Sequence, residues 1–400
     1  ALNNVLANKN GNEDGLVKTA DTDEINADNA IKWNLADTDI ETYSVGVENQ
    51  LQDMDINNLI ENTVEYTTRS DWSKGWEPIE SLTPTEAMMV GLTDQLYELT
   101  ENDGDGNGIT WGADNGLKLI DMMKLDENGN YTGAVDFDDP MWNQLMDQIT
   151  LEDCMIRVGF GGTSTKPIES ISSPEAVQND GPNGINSYTL GQYANTDTSS
   201  ADPCAVDPDD KNLNYKFGTM ACEPVIAQTF SKQLAAEWGK AVGNYSLWAN
   251  TAIWWGVGTN LHRTPYNARN HEYFSEDAVL TAGQGAAIIK AGHEYGVLIA
   301  PKHLAFNDTE INRTGIAEFM TEQAARENEL RGVQSCIEDA NALAVMTTYN
   351  RVGCVTSNAH TGLLLNILRK EWGFKGLMSE DFIQDPTYTK IRMAVHNGVT

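Results

Sequence analysis

The chain has 400 residues, 40% of them hydrophobic, enough for one large domain with extensions or for two ordinary ones around a sizeable core. Its 59 acidic against 26 basic side chains give a formal charge of −33, which repels nucleic acid and anionic membrane and leaves neutral ligands such as sugars acceptable. Cys154, Cys204, Cys222, Cys336 and Cys354 are scattered without CxxC spacing, so neither a disulfide framework nor a zinc site is indicated, and no apolar run nears the ~20 residues of a bilayer span.

Residues 1–75 are rich in Asn, Asp and Glu, with little apolar periodicity, and read as an acidic, loosely packed extension. Residues 76–137 form a pre-barrel segment. In it a helix is expected from Pro84, capped by Thr83 or Thr85 and patterned by Met88, Met89, Leu92, Leu96 and Leu99. Asp103, Asp105, Asn107 and Gly108 then match the first half of a calcium loop, with Asp114 where its bidentate Glu would stand, although a solvated acidic turn is the simpler expectation. From 138 to 400 short apolar runs alternate with helical patterns. The strands expected are QNDGPNGI, IWWGVGTN, YGVLIAPKH, ALAVMTTYN and GLMSED; the helices are 141–157, 225–248, 277–294, 315–338 and 361–371. Such alternation predicts an α/β fold with a parallel sheet, and its length suits a (β/α)8 TIM-type barrel. A doubly wound open sheet is the rival, but DGPNGI does not match the GxGxxG turn expected there.

Each strand run ends in polar residues. Asp180 closes the first and Asn260 the second, which leads to a loop with Arg269 and Glu272. Lys302 and His303 close the third, Met346, Tyr349 and Asn350 the fourth, and Asp381 the last. Singly these are turn formers, loop ion pairs and packed rings. A barrel gathers strand ends on one face, where two carboxylates, a guanidinium, an ammonium, an imidazole and a phenol suit recognition of vicinal hydroxyls.

The stretches DQITLED, NDGPNGI, GTNLHRTPYNARNHEYFSED, PKHLAFNDTEINR, AVMTTYNRVG and ILRKEWGFKGLMSED resemble the barrel domain of glycoside hydrolase family 3, the family of many β-glucosidases. YTTRSDW and GADNGLKLIDMM resemble the segment before the barrel in a subgroup of inverted domain order. The resemblance implies removal of terminal β-D-glucosyl residues from short glucosides by a retaining double displacement. Asp381 is then the nucleophile; Asp180, Arg269, Lys302, His303 and Tyr349 grip the sugar, and Met346 lines its pocket. No cofactor is implied, the partner is a small saccharide or aryl β-glucoside, and no nucleic acid or membrane contact is expected. A bacterial, extracellular or cell-surface setting is favoured over the cytoplasm. A β-xylosidase or other exo-acting member, a phosphorylase, and a non-catalytic carbohydrate-binding module are the alternatives.

Three departures stand out. Glu380 replaces the Ser or Thr usual before the nucleophile, and strand alternation predicts that it points away from Asp381. Asn186 replaces an Arg, and FNDTEINR lacks the His that serves as acid/base in the family's N-acetylglucosaminidases. The acid/base is therefore expected from the sandwich domain of the same polypeptide. Beginning at Ala1 and stopping at HNGVT, the sequence reads as a fragment cut at both ends, its barrel stopping short of the last strand.

Overall fold

Five apolar runs form parallel strands that lie side by side in chain order. The computed structural model describes residues 49–61, 64, 83–93, 108–161, 164–185, 219–381 and 388–399. Its central strands are β1 (Ala176–Asp180), β2 (Thr251–Trp255), β3 (Leu298–Ile299), β4 (Ala344–Met346) and β5 (Leu377–Ser379). β1 pairs with β2 and β2 with β3, all parallel. The chain after β3 joins β4 through Leu304 N to Met346 O at 2.8 Å and Met346 N to Pro301 O at 3.1 Å. β4 pairs in parallel with β5, and Met378 of β5 bridges in parallel to Val399. A doubly wound sheet would reverse its order at a switch point; this one never does among the described residues. The parallel α/β arrangement is the expected one, and closure into the expected (β/α)8 barrel is not seen among the described residues.

Both faces of the arc are apolar, as parallel strands require. Trp254, Ile299, Val345 and Met378 face the helices in the main core, while Ile253, Trp255, Ala300, Ala344 and Met346 form a second cluster on the other face. The alternation follows from the two-residue period of a strand. Helices α1 (Lys232–Trp248), α2 (Ala278–His293), α3 (Arg331–Glu338) and α4 (Gly362–Glu371, wound with π hydrogen bonding) occupy the return paths. Between α1 and α2 the contact is close: a Cβ on Gly239 would stand 2.3 Å from the carbonyl oxygen of Ile288. Only glycine permits that approach.

Local capping moves several expected boundaries. The helix expected over 141–157 is two, Met141–Met146 and Leu151–Phe160, because Thr150 and Asp153 form a reciprocal capping box. The helix expected over 225–248 breaks where Phe230 takes φ 51° and Ser231 caps α1. Residues 317–318, expected to be helical, pair in parallel with 351–352, and the helix starts only at Glu322 under a Thr321 cap. Thr85 caps Glu86–Leu92 as expected; the second half of that helix, Asp103–Asn107 of the calcium loop and Asn186 lie outside the described residues.

Residues 50–58 are not the loose extension their composition suggests. Leu51 and Met54 are fully buried in the main core. Leu51 N donates to Glu322 Oε2 at 2.8 Å, and Asn366 Nδ2 of α4 donates to Gln50 Oε1 at 2.6 Å. Two apolar residues three apart make no visible periodicity, so only the docked position discloses their role. Met54→Ala is expected to cost about 2–5 kcal/mol, read as a lower urea midpoint.

Candidate active site

The C-terminal ends of the strands carry the polar residues, and one glycine sets how they meet. Gly258, just past β2, bridges in parallel to both Tyr273 and Lys302. A Cβ there would lie 2.2 Å from the carbonyl oxygen of Glu272, so a side chain would push the Arg269–Glu272 loop off the strand end.

Lys302 is the centre of the resulting network. Its Nζ is 2.7 Å from Asp180 Oδ1 and 2.7 Å from Glu272 Oε1. Arg269 Nε donates to Glu272 Oε2 at 2.6 Å and Nη1 to Glu310 Oε1 at 3.1 Å; Arg313 Nη1 holds Glu310 Oε2 at 3.0 Å. Burial by itself would favour neutral Glu272, but Lys302 and Arg269 outweigh it and hold the carboxyl well below the usual range. Burial likewise disfavours the Lys302 ammonium, and Asp180 and Glu272 overcome it, raising its pKa. Three cations thus face three anions. Beneath them Glu223 is buried with no side-chain partner among the described residues, and burial, against the backbone amides of Glu223 and Gly258, pushes its pKa well up.

His303 follows Lys302. Burial, with Arg269 and Lys302 nearby, holds its pKa well below the usual range, so the imidazole is neutral. Its Nδ1 lies 3.2 Å from Asn260 Oδ1 and 3.3 Å from the Tyr273 hydroxyl, which accepts from Asn307 Nδ2 at 2.6 Å. Its Nε2 faces Asp381 Oδ2 at 3.7 Å. The Tyr349 ring is covered by the Arg313 guanidinium at 4.3 Å, and burial with the Asp381 charge pushes its phenol pKa up. Met346 is buried at the end of β4. Asp180, Arg269, Lys302 and His303 therefore share one edge with Asp381, and Tyr349 and Met346 flank it. Strand-end positions did not single out Arg313, Asn307, Tyr273 and Glu223; their ion pairs, hydrogen bonds and burial in the cluster do.

A small polar cleft borders Asp381. Thr348, Tyr349, Thr356, Asn358, Glu380, Tyr388 and Thr389 line it with the aspartate. Alternation thus does not keep Glu380 apart from Asp381: β5 ends at Ser379, and both residues lie beyond the strand where the two-residue rule no longer applies.

Behind the site two acids share a buried contact. Asp308 Oδ1 is enclosed without a partner among the described residues, Asp308 and Glu318 hydrogen-bond through their side chains, and Asn350 Nδ2 donates to Glu318 Oε1 at 2.5 Å. Burial raises both pKa values, and for Glu318 the Asp308 charge adds to it. Raised folded values mean that the bound proton stabilises the fold at low pH and that this share is lost as pH climbs through them. Glu318→Gln is expected to flatten the decline of melting temperature that sets in as pH rises above the ordinary Glu value of 4.5.

A parallel α/β arc whose strand ends assemble a buried charge network beside an aspartate is the arrangement in which strand C-termini carry a site. Residues 214–394 match the Glycosyl hydrolase family 3 N terminal domain. A β-glucosidase of Ruminococcus albus is 33% identical over 223 residues, 56% of this chain and 21% of that protein; β-glucosidase A of Butyrivibrio fibrisolvens is 34% identical over 161 residues, 40% and 19%. The β-glucosidase 3B structure from Thermotoga neapolitana in complex with glucose aligns at TM-score 0.54 and 27% identity over 64% of this chain and 35% of that one. The likeness to glycoside hydrolase family 3 thus rests on residues 214–394. The chain spans about a fifth of the two curated relatives named. Relatives also come from the fungus Emericella nidulans and from Kluyveromyces marxianus, so the likeness does not restrict the source to bacteria.

Proposed function

We propose that the chain provides the barrel portion of a retaining β-glucosidase, with Asp381 as nucleophile and Asp180, Arg269, Lys302, His303, Met346 and Tyr349 forming the sugar subsite. The observation that carries this is the placement of Asp381, past the end of β5, 3.7 Å from His303 and beside the Lys302 network. In a double displacement a carboxylate attacks the anomeric carbon while a carboxylic acid ~5–5.5 Å away protonates the leaving oxygen. Glu272 and Glu310 are unsuited to the second role. Both are spent in ion pairs, and Glu272 is held ionised where an acid must carry a proton. The acid/base is assigned, as the family resemblance implies, to a segment other than the described residues. A glucosyl unit is the preferred substrate because the relatives are named β-glucosidases and the Thermotoga structure is a glucose complex.

The test is covalent trapping. A 2-deoxy-2-fluoro glucoside with an activated leaving group should label the enzyme once, and peptide mapping should place the label on Asp381. A label on Glu380 or Glu272, or turnover of xyloside but not glucoside, would refute the assignment.

A further inference from the structure

We propose that Glu380 is a positioning residue acting as a neutral carboxylic acid: paired with the amide of Asn358 on the cleft wall, it leaves Asp381 the sole anion there, and its ionisation shapes the alkaline limb of activity. The functional half rests on Asp381 being the nucleophile.

Asn358 is 4% exposed, and its Nδ2 donates to Glu380 Oε2 at 2.7 Å. The other end of that amide, Oδ1, is enclosed with no partner among the described residues. A carboxylate only accepts, so an ionised Glu380 satisfies Nδ2 and leaves Oδ1 orphaned. A carboxylic acid has one hydroxyl to give. It can accept from Nδ2 on one oxygen and donate to Oδ1 from the other, closing an amide–acid ring that satisfies both ends of Asn358.

The surroundings favour that proton. The groups facing Glu380 are Asp381, next along the chain, and the Tyr349 and Tyr388 phenols across the cleft; Arg313 and Arg351 cover those two rings at 4.3 and 4.4 Å. No Lys, Arg or His forms an ion pair with Glu380 among the described residues. Burial first, then the Asp381 charge, against the Asn358 hydrogen bond, pushes the Glu380 carboxyl up to about 7. Above that pH a second negative charge appears beside the nucleophile, and the acid ring with Asn358 is lost.

The experiment compares Glu380→Gln, Glu380→Leu and the wild-type enzyme. Gln keeps the ring, since its oxygen accepts from Nδ2 and its amide donates to Oδ1, but it cannot ionise. A 2,4-dinitrophenyl glucoside is the substrate, because its leaving group departs without an acid, so the pH profile of kcat/KM reports groups other than the acid/base. At pH 5.5 Gln should keep kcat/KM within about threefold of wild type while Leu falls about tenfold or more, and the alkaline limb near neutrality should move up by about one unit or more in Gln. An unchanged limb, or a Gln variant as impaired as Leu, overturns the proposal; should Leu not fold, the Gln profile alone decides. Infrared spectra with isotope-labelled Glu should show a protonated carboxylic acid at pH 5.5 that titrates near neutrality and is absent from Glu380→Gln. A Glu380 already ionised at pH 5.5 overturns the proposal whatever Asp381 does. In Asp381→Asn the same band should persist with a lower midpoint, which separates failure of this inference from failure of the nucleophile assignment.

Discussion

Asp381→Asn is expected to lower kcat/KM for an aryl β-glucoside by at least about 10⁴-fold while leaving the melting temperature almost unchanged. Amide for carboxylate preserves volume, and His303, 3.7 Å from Asp381 Oδ2, is neutral, so no charge is stranded on the imidazole. With Asp381 as the proposed nucleophile, the variant lacks the oxygen that would bond to the anomeric carbon, and single losses of covalent nucleophiles cost about 10⁴- to 10⁶-fold. Azide should restore part of the turnover by attacking from the vacated side, giving an azide of inverted configuration at the anomeric carbon. Activity within about tenfold of wild type would remove Asp381 from the mechanism.

Lys302→Met should be the most damaging change to stability at the site. Lys302 is 2% exposed and bonds two carboxylates. Removing it leaves three anions against two cations, with Glu272 buried. Breaking a buried pair from one side costs about 3–5 kcal/mol, because the abandoned charge remains desolvated. For a unit this size that is a fall in melting temperature on the order of 5–10 °C, by scanning calorimetry. Adding Glu272→Gln removes the stranded charge, so the double variant should recover part of the loss. Losses that simply add would mean that Lys302 contributes packing alone.

Parallel organisation and its polar termini are local properties, and they were legible in the residues. An apolar run between helical patterns becomes a buried strand wherever it pairs, and IWWGVGTN, YGVLIAPKH and ALAVMTTYN did so with their polar ends at one edge. Asp180, Lys302, His303 and Asp381 could be named because a strand-end position is one-dimensional information. The family likeness added roles that spacing alone does not carry.

Only the tertiary structure decided the rest. That Leu51 and Met54 complete the core depends on contacts with residues about 270 to 310 positions away, and no local pattern encodes such contacts. That the Glu272 pKa is lowered, that of Glu223 raised and that of His303 lowered follows from burial and from which charges lie within a few ångströms; both are properties of packing. Glu380 shows the difference most plainly. Alternation placed it away from Asp381, but the strand stops one residue earlier, and the fold brings Asn358 against it instead. Sequence determines what each strand end can offer; packing decides which of those groups carries a charge.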